Sequence, residues 1–174
     1  MRLLLRFLVV ISIFSACNNN TPDVSDIKVN MSTKRFEKDL FVVDSTHFDT
    51  QFAGVLEKYP EFGINFVNTI LNADPRWGGD TTKTYIKGFI KIYKPIFDTA
   101  EKIYSDFSVY ENEIKSGIQF LKFYFPKVKV PEKIITYVGP LDGYGDILSD
   151  EAFIIGLQHH LGANASYYQS EWFH

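Results

Sequence analysis

Apolar residues recur along this chain with two different periods, and the change from one to the other divides it. Phe48, Phe52, Val55, Leu56 and Tyr59 stand three or four positions apart, the spacing of one helix face. Pro60 stops that run and opens the next, with Ile64, Val67, Ile70 and Leu71 predicted on its buried side. The Pro/Gly-rich stretch Asp74-Pro75-Arg76-Trp77-Gly78-Gly79-Asp80 reads as a loop. Ile86, Phe89, Ile90 and Tyr93 form another stripe, and Pro95 is expected to kink or restart that helix before Phe97, Ala100, Tyr104 and Phe107. Ile114, Ile118, Leu121 and Phe125 predict a further helix. Thr46 with Asp49, and Ser108 with Glu111, have the spacing of capping boxes.

Beyond Pro126 and Pro131 the period changes. Ile134-Ile135-Thr136-Tyr137-Val138 and Phe153-Ile154-Ile155-Gly156-Leu157 are short and rich in β-branched residues, as strands are. Ile27 to Met31 alternates apolar and polar and reads as one more short strand. The stretch Leu141-Asp142-Gly143-Tyr144-Gly145-Asp146 reads as a solvated hairpin turn. The expectation is an α+β fold, a helical N-terminal block followed by a small antiparallel sheet.

The N-terminus follows neither period. Arg2 and Arg6 precede an almost wholly apolar run from Phe7 to Phe14, then the small residues Ser15 and Ala16, then Cys17. Positive start, short apolar core and a small-small-Cys ending are the marks of a bacterial lipoprotein signal. The uncharged stretch is too short for a spanning helix, which needs about 20 residues. Residues 1–16 are thus expected to be a signal peptide, Cys17 the lipidated residue, 17–26 a tether, and 27–174 a single α+β domain. Absence of Asp after Cys17 favours the outer membrane over the inner one. Acyl chains, palmitate among them, would then hold the protein on the membrane.

Composition narrows the function classes. The 174 residues carry 18 basic and 21 acidic side chains, so the formal net charge is −3 and gives no electrostatic footprint for nucleic acid. Loss of residues 1–16 removes two arginines and no acid, which leaves 16 basic against 21 acidic groups, or −5. One cysteine makes no internal disulfide and no Cys-rich zinc site. No nucleophile elbow, phosphate loop or dinucleotide fingerprint occurs, no catalytic residue is assigned, and no cofactor is implied. Weak metal candidates are His159, His160, Asp142 and Asp146, but their spacing matches neither a zinc helix nor a calcium loop. Trp77 is a candidate interaction surface, because aromatics on loops serve recognition. Dense core packing is the expected role of Phe120, Phe123, Tyr124 and Phe125.

Several stretches together resemble the GldB family of gliding-motility lipoproteins from Bacteroidota. They are the lipoprotein signal, Val24-Ser25-Asp26-Ile27-Lys28-Val29, Arg35-Phe36-Glu37-Lys38-Asp39-Leu40-Phe41 and Leu56-Glu57-Lys58-Tyr59-Pro60. Tyr124-Phe125-Pro126, Ile134-Ile135-Thr136-Tyr137-Val138-Gly139, Ile155-Gly156-Leu157 and Leu161-Gly162 complete the set. The resemblance implies a non-enzymatic, lipid-anchored cell-envelope protein acting with other motility proteins and with the associated secretion machinery. It also carries a distant similarity to zincin-like metallopeptidases, of which this chain would be the front part, C-terminally truncated. A metallopeptidase-like enzyme, or a degenerate fragment of one, is therefore one alternative. A periplasmic carbohydrate- or peptide-binding module is another.

Overall fold

The computed structural model describes residues 21–149 and 151–168. Residues 1–16, Cys17, Asp150 and His174 lie outside that range. The fold is α+β, with a four-stranded sheet at one end of a helical block. In chain order the elements are β1 (Ser32–Arg35), α1 (Phe36–Leu40), α2 (Phe48–Lys58), α3 (Pro60–Asn65) and α4 (Gly79–Ile103). There follow α5 (Ser108–Tyr124), β2 (Lys133–Tyr137), β3 (Ile147–Leu148) and β4 (Ala152–Gly156).

The sheet is mixed, which corrects the antiparallel expectation. Its order is β1-β2-β4-β3; β1 and β4 both run parallel to β2, and only β3 is antiparallel to β4. Parallel neighbours require long crossovers, and five helices lie between β1 and β2. Ile134, Ile135, Thr136 and Tyr137 of β2 are all buried, because this strand is covered on both faces. The first strand is Ser32–Arg35 rather than Ile27–Met31, since the polar residues Ser32-Thr33-Lys34-Arg35 are those that pair in register with Lys133–Thr136. Polar β1 and the two-residue β3 form the edges, a composition and a length that discourage further pairing.

Strand β1 passes directly into α1, with Arg35 at the helix N-cap. That abrupt turn drives Phe36 into the centre of the core, where its ring meets Tyr59, Phe62 and Phe66 at centroid distances of 5.1, 4.9 and 4.8 Å. Such aromatic pairs contribute roughly 0.5–1.5 kcal/mol each beyond the area they bury. Phe41, just past α1, stacks on Phe97 of α4. Asp39 accepts hydrogen bonds from Lys58 Nζ and the Tyr59 hydroxyl, both at 2.6 Å, which ties α1 to the end of α2.

Several helix details depart from the sequence expectation. Neither capping box forms: α2 begins after His47 and α5 after Phe107, with no side-chain cap at either. The Thr46 N–H instead donates to Asp44 and the Ser108 N–H to Asp106, local bonds that compete with a cap. Glu111 is engaged by Lys115 and by the Thr33 hydroxyl of β1, which together hold its carboxyl below the ordinary range. Ile64 is 54% exposed, because a π-helical turn at Phe66–Ile70 shifts the helical phase and points Phe62, Phe66 and Val67 inward. Pro95 does not restart the helix, since α4 runs unbroken through it. In α5 no residue is fully buried, although Ile114 and Ile118 pack on the core. Phe123, Tyr124 and Phe125 are 45, 61 and 62% exposed, so they are surface and not the core residues expected.

One buried carboxylate joins the helical block to the sheet. Glu37 is only 1% exposed; its Oε1 accepts from Arg35 Nε at 2.5 Å and its Oε2 from the Thr136 hydroxyl of β2 at 2.7 Å. A further Arg35 nitrogen donates to the Tyr104 carbonyl at 2.7 Å. The last guanidinium nitrogen faces Glu101 at 3.7 Å, an ion pair too long for a hydrogen bond. Burial pushes the Glu37 carboxyl above its ordinary value of 4.5, opposed by the Arg35 charge and the Thr136 bond.

A folded-state pKa above the unfolded one means that the folded protein holds this proton more tightly. Stability drawn from Glu37 is therefore complete below pH 4.5 and lost as pH rises through the folded pKa. Measured by urea denaturation, the difference in unfolding free energy between wild type and Glu37→Gln moves against the wild type as pH climbs from about 4 to 7. Shifts at the other carboxylates are common to both proteins and cancel; a pH-independent difference would contradict the assignment.

Candidate functional site

A concavity lies at the carboxyl end of β2, a strand whose two neighbours run parallel to it, and ligand sites gather at such strand ends. There Val138–Asp146 leaves the sheet and faces α4 across a cleft of about 730 Å³. Leu71, Asn72, Tyr85, Ile92 and Tyr93 line one side, and Pro140, Asp142, Gly143 and Tyr144 the other. Asn72 adopts φ 51°, a left-handed conformation that Asn tolerates better than most residues, and this turns the chain at the rim. The Tyr85 hydroxyl donates to the Leu71 carbonyl at 2.7 Å and so ties α4 to that turn. Burial raises the Tyr93 phenol above its ordinary range, so it is a neutral hydroxyl at physiological pH.

Trp77 lies beside this cleft. Its ring packs edge-to-face on Tyr85 at 5.2 Å, and with Asp80, Thr81 and Thr84 it lines a shallower hollow that shares Tyr85. The loop before it is held by Asp74, which accepts from the Arg76 and Trp77 backbone N–H groups through its side chain and carbonyl, respectively. Trp77 is 38% exposed, half packed and half available.

The opposite wall is fixed from below. Residues Leu141 to Asp146 are not the hairpin turn expected; the hairpin is the later β3–β4 pair, and this segment crosses the end of β2. Tyr137 places its hydroxyl 2.5 Å from the Tyr144 carbonyl and 2.8 Å from that of Gly145. Burial pushes this phenol up to about 12, so it keeps the proton it donates. Fully buried Gln158 accepts from the Gly139 N–H and donates to the Tyr144 carbonyl, both at 3.0 Å. Asp146 accepts from the Gly156 N–H at 3.1 Å, and both of its carboxylate oxygens lie 3.1 Å from His160 Nε2.

The structure thus brings Asp146 and His160 together, while Asp142 lines the cleft and His159 lies against Gly145. Among the described residues no group of three or more His, Cys, Asp or Glu side chains could hold a metal ion. The arrangement gathers aromatic faces from Trp77, Tyr85 and Tyr144, a carboxylate at Asp142, and a rim held by hydrogen bonds. Gln158 and Tyr137 were missed by the sequence reading. Their signal is a polar group inside an otherwise apolar strand-and-turn run.

One glycine, Gly156, shows how closely that rim is packed. A Cβ at Gly156 would lie 2.8 Å from Gln158 Nε2 and 3.1 Å from the Tyr137 hydroxyl, whereas one at Gly88 on the α4 side meets no atom within 4 Å. Gly156→Ala is expected to lose about 1–3 kcal/mol in chemical denaturation and to speed amide exchange at Gly139. Gly88→Ala, a mid-helix replacement, gains about 0.5–1 kcal/mol. A Gly156→Ala protein as stable as Gly88→Ala would contradict this account of the rim.

No curated protein and no solved structure matches the chain. The family described as Gliding motility protein GldB matches residues 17–173, from the cysteine after the signal-like segment through the sheet and its last turns. Within that range, Asp39 accepts from Lys58 and Tyr59, and Glu37 bonds Thr136, so Arg35–Phe41 meets both the end of α2 and β2. The chain belongs to the GldB family of gliding-motility lipoproteins.

Proposed function

We propose that this protein is a lipid-anchored, non-enzymatic component of the gliding-motility and associated secretion machinery of the cell envelope, held on the membrane through Cys17. Supporting this reading most directly is the family match that begins at Cys17, the residue at which the signal-like segment ends in Ser15-Ala16-Cys17. No helix among the described residues is long and apolar enough to cross a membrane. On this reading attachment is by acyl chains, which contribute about 0.8 kcal/mol per buried CH₂ and hold stably when more than one is present. We place the anchor in the outer membrane, with the domain standing beyond a short tether that begins at Cys17 and ends where Val24 is buried.

On this reading the protein works by contact. The cleft between α4 and Val138–Asp146, with Trp77 beside it, is the surface we assign to a partner. An exposed carbohydrate- or peptide-binding role is the second reading, favoured by the Trp77–Tyr85 pair on the cleft rim.

Complementation of a deletion strain tests both levels. A Cys17→Ala chain should leave the membrane fraction and fail to restore spreading, whereas Trp77→Ala should stay in the membrane fraction and restore spreading only weakly. Full spreading with Cys17→Ala would overturn the anchored role; full spreading with Trp77→Ala would remove the cleft face from it.

A further inference from the structure

The end of α5 has a surface character that differs from the rest of the chain. Phe123, Tyr124 and Phe125 are largely exposed in sequence, and the turn that follows adds exposed Pro126, Lys127 and Lys129. From Lys115 to Pro131 there are four lysines and no acid, in a chain whose net charge is −3. The acids of this helix, Glu111 and Glu113, are at its other end. Complementing the helix dipole accounts for Lys122 in the last turn, but not for the lysines beyond the helix or for three exposed rings. Exposed apolar clusters of this kind mark interaction surfaces.

The same end of α5 receives the start of the domain. Gln119 Nε2 donates to the Ile27 carbonyl at 2.9 Å, and Lys122 Nζ to the Lys28 carbonyl at 3.2 Å. Val24 is already buried, so only the steps from Cys17 to Val24 separate the anchor from packed protein. Seven residues span at most about 25 Å when fully extended. A tether this short keeps this corner within about 25 Å of the bilayer, close enough for the patch to reach it.

We infer that the C-terminal end of α5 is a membrane-docking patch, in which Phe123, Tyr124 and Phe125 enter the headgroup region of an anionic lipid surface. Lys122, Lys127 and Lys129 meet its phosphates. The inference rests on the lipid anchor at Cys17 proposed above. Aromatic rings with polar edges favour the interface over either pure phase, and an apolar face enters by about 5–10 Å. Basic groups add an attraction that reaches about a Debye length from an anionic surface. The cleft and Trp77 then belong to a domain held in one orientation, rather than one that swings freely on its tether.

The test uses the full chain, isolated with its lipid and reconstituted into phosphatidylcholine–phosphatidylglycerol vesicles with brominated acyl chains. Because lipid consumes the single native cysteine, a fluorophore can be placed by Tyr124→Cys or, as reference, by Val109→Cys. Val109 is exposed on the same helix, about 22 Å away along its axis. Quenching several-fold stronger at 124 than at 109, weakened by Lys127→Glu with Lys129→Glu, is the expected result. Equal quenching at both sites, or none at 124, overturns the docking, including the case where a protein partner covers the rings instead. A mass spectrum of Cys17 from the same sample scores the anchor separately. A lipid adduct without quenching at 124 leaves the anchor and removes the patch; unmodified Cys17 with quenching at 124 does the reverse.

Discussion

A buried carboxylate is the constraint on which this fold turns. Glu37 is almost wholly removed from water, and such a group is tolerated only where partners satisfy it. Its two partners come from opposite sides: Arg35, two residues earlier on β1, and Thr136, on the central strand of the sheet. To reach both, the chain must pass from strand to helix without a loop, and that turn is what seats Phe36 among Tyr59, Phe62 and Phe66. Arg35 in turn caps the carbonyl end of α4 at Tyr104. Sheet, aromatic core and the longest helix are thereby referred to one short segment.

From that frame the two surfaces of interest take their positions. The cleft lies where β2 ends, and its rim is set by Tyr137 and Gln158, whose bonds reach out of the sheet into the crossing segment. Exposed aromatics of α5 stand instead near the start of the domain, beside Ile27 and Lys28. On the reading proposed above, a lipoprotein that acts by contact would take its orientation from one of these elements and its partner face from the other.

How much of this could be read from the sequence depends on which signal each element carries. The helices α2, α4 and α5 were legible because an amphipathic period of about 3.6 leaves a repeated trace. Strand β1 was not, since Ser32-Thr33-Lys34-Arg35 has no apolar alternation and is placed in the sheet by its backbone pairing with β2. The parallel sheet did leave a trace: Ile134 to Val138 is apolar almost without interruption, the mark of a strand covered on both faces, whereas a half-exposed antiparallel strand alternates. Ile64 was misplaced because a π-helical turn changes phase without any residue to announce it. Phe123, Tyr124 and Phe125 were assigned to the core on hydrophobicity alone, which predicts burial only in one direction. Of the candidate site residues, Trp77 and Asp142 fell beside the cleft, while Asp146 and His160 paired with each other. Arg35 and Glu37 lie within a family-like motif, yet nothing local shows that Glu37 is buried, because one of its two hydrogen bonds comes from Thr136, far along the chain.

The central claim is that Glu37 couples the helical block to the sheet through Thr136. A double-mutant cycle with Glu37→Met and Thr136→Val, read by urea denaturation at neutral pH, measures that coupling free of each residue's separate contributions, since neither replacement keeps the hydrogen bond. An interaction energy of about 1–3 kcal/mol is the result expected for a buried hydrogen bond to a carboxyl group. Additivity within about 0.3–0.5 kcal/mol would show that the two residues act independently and would contradict the account.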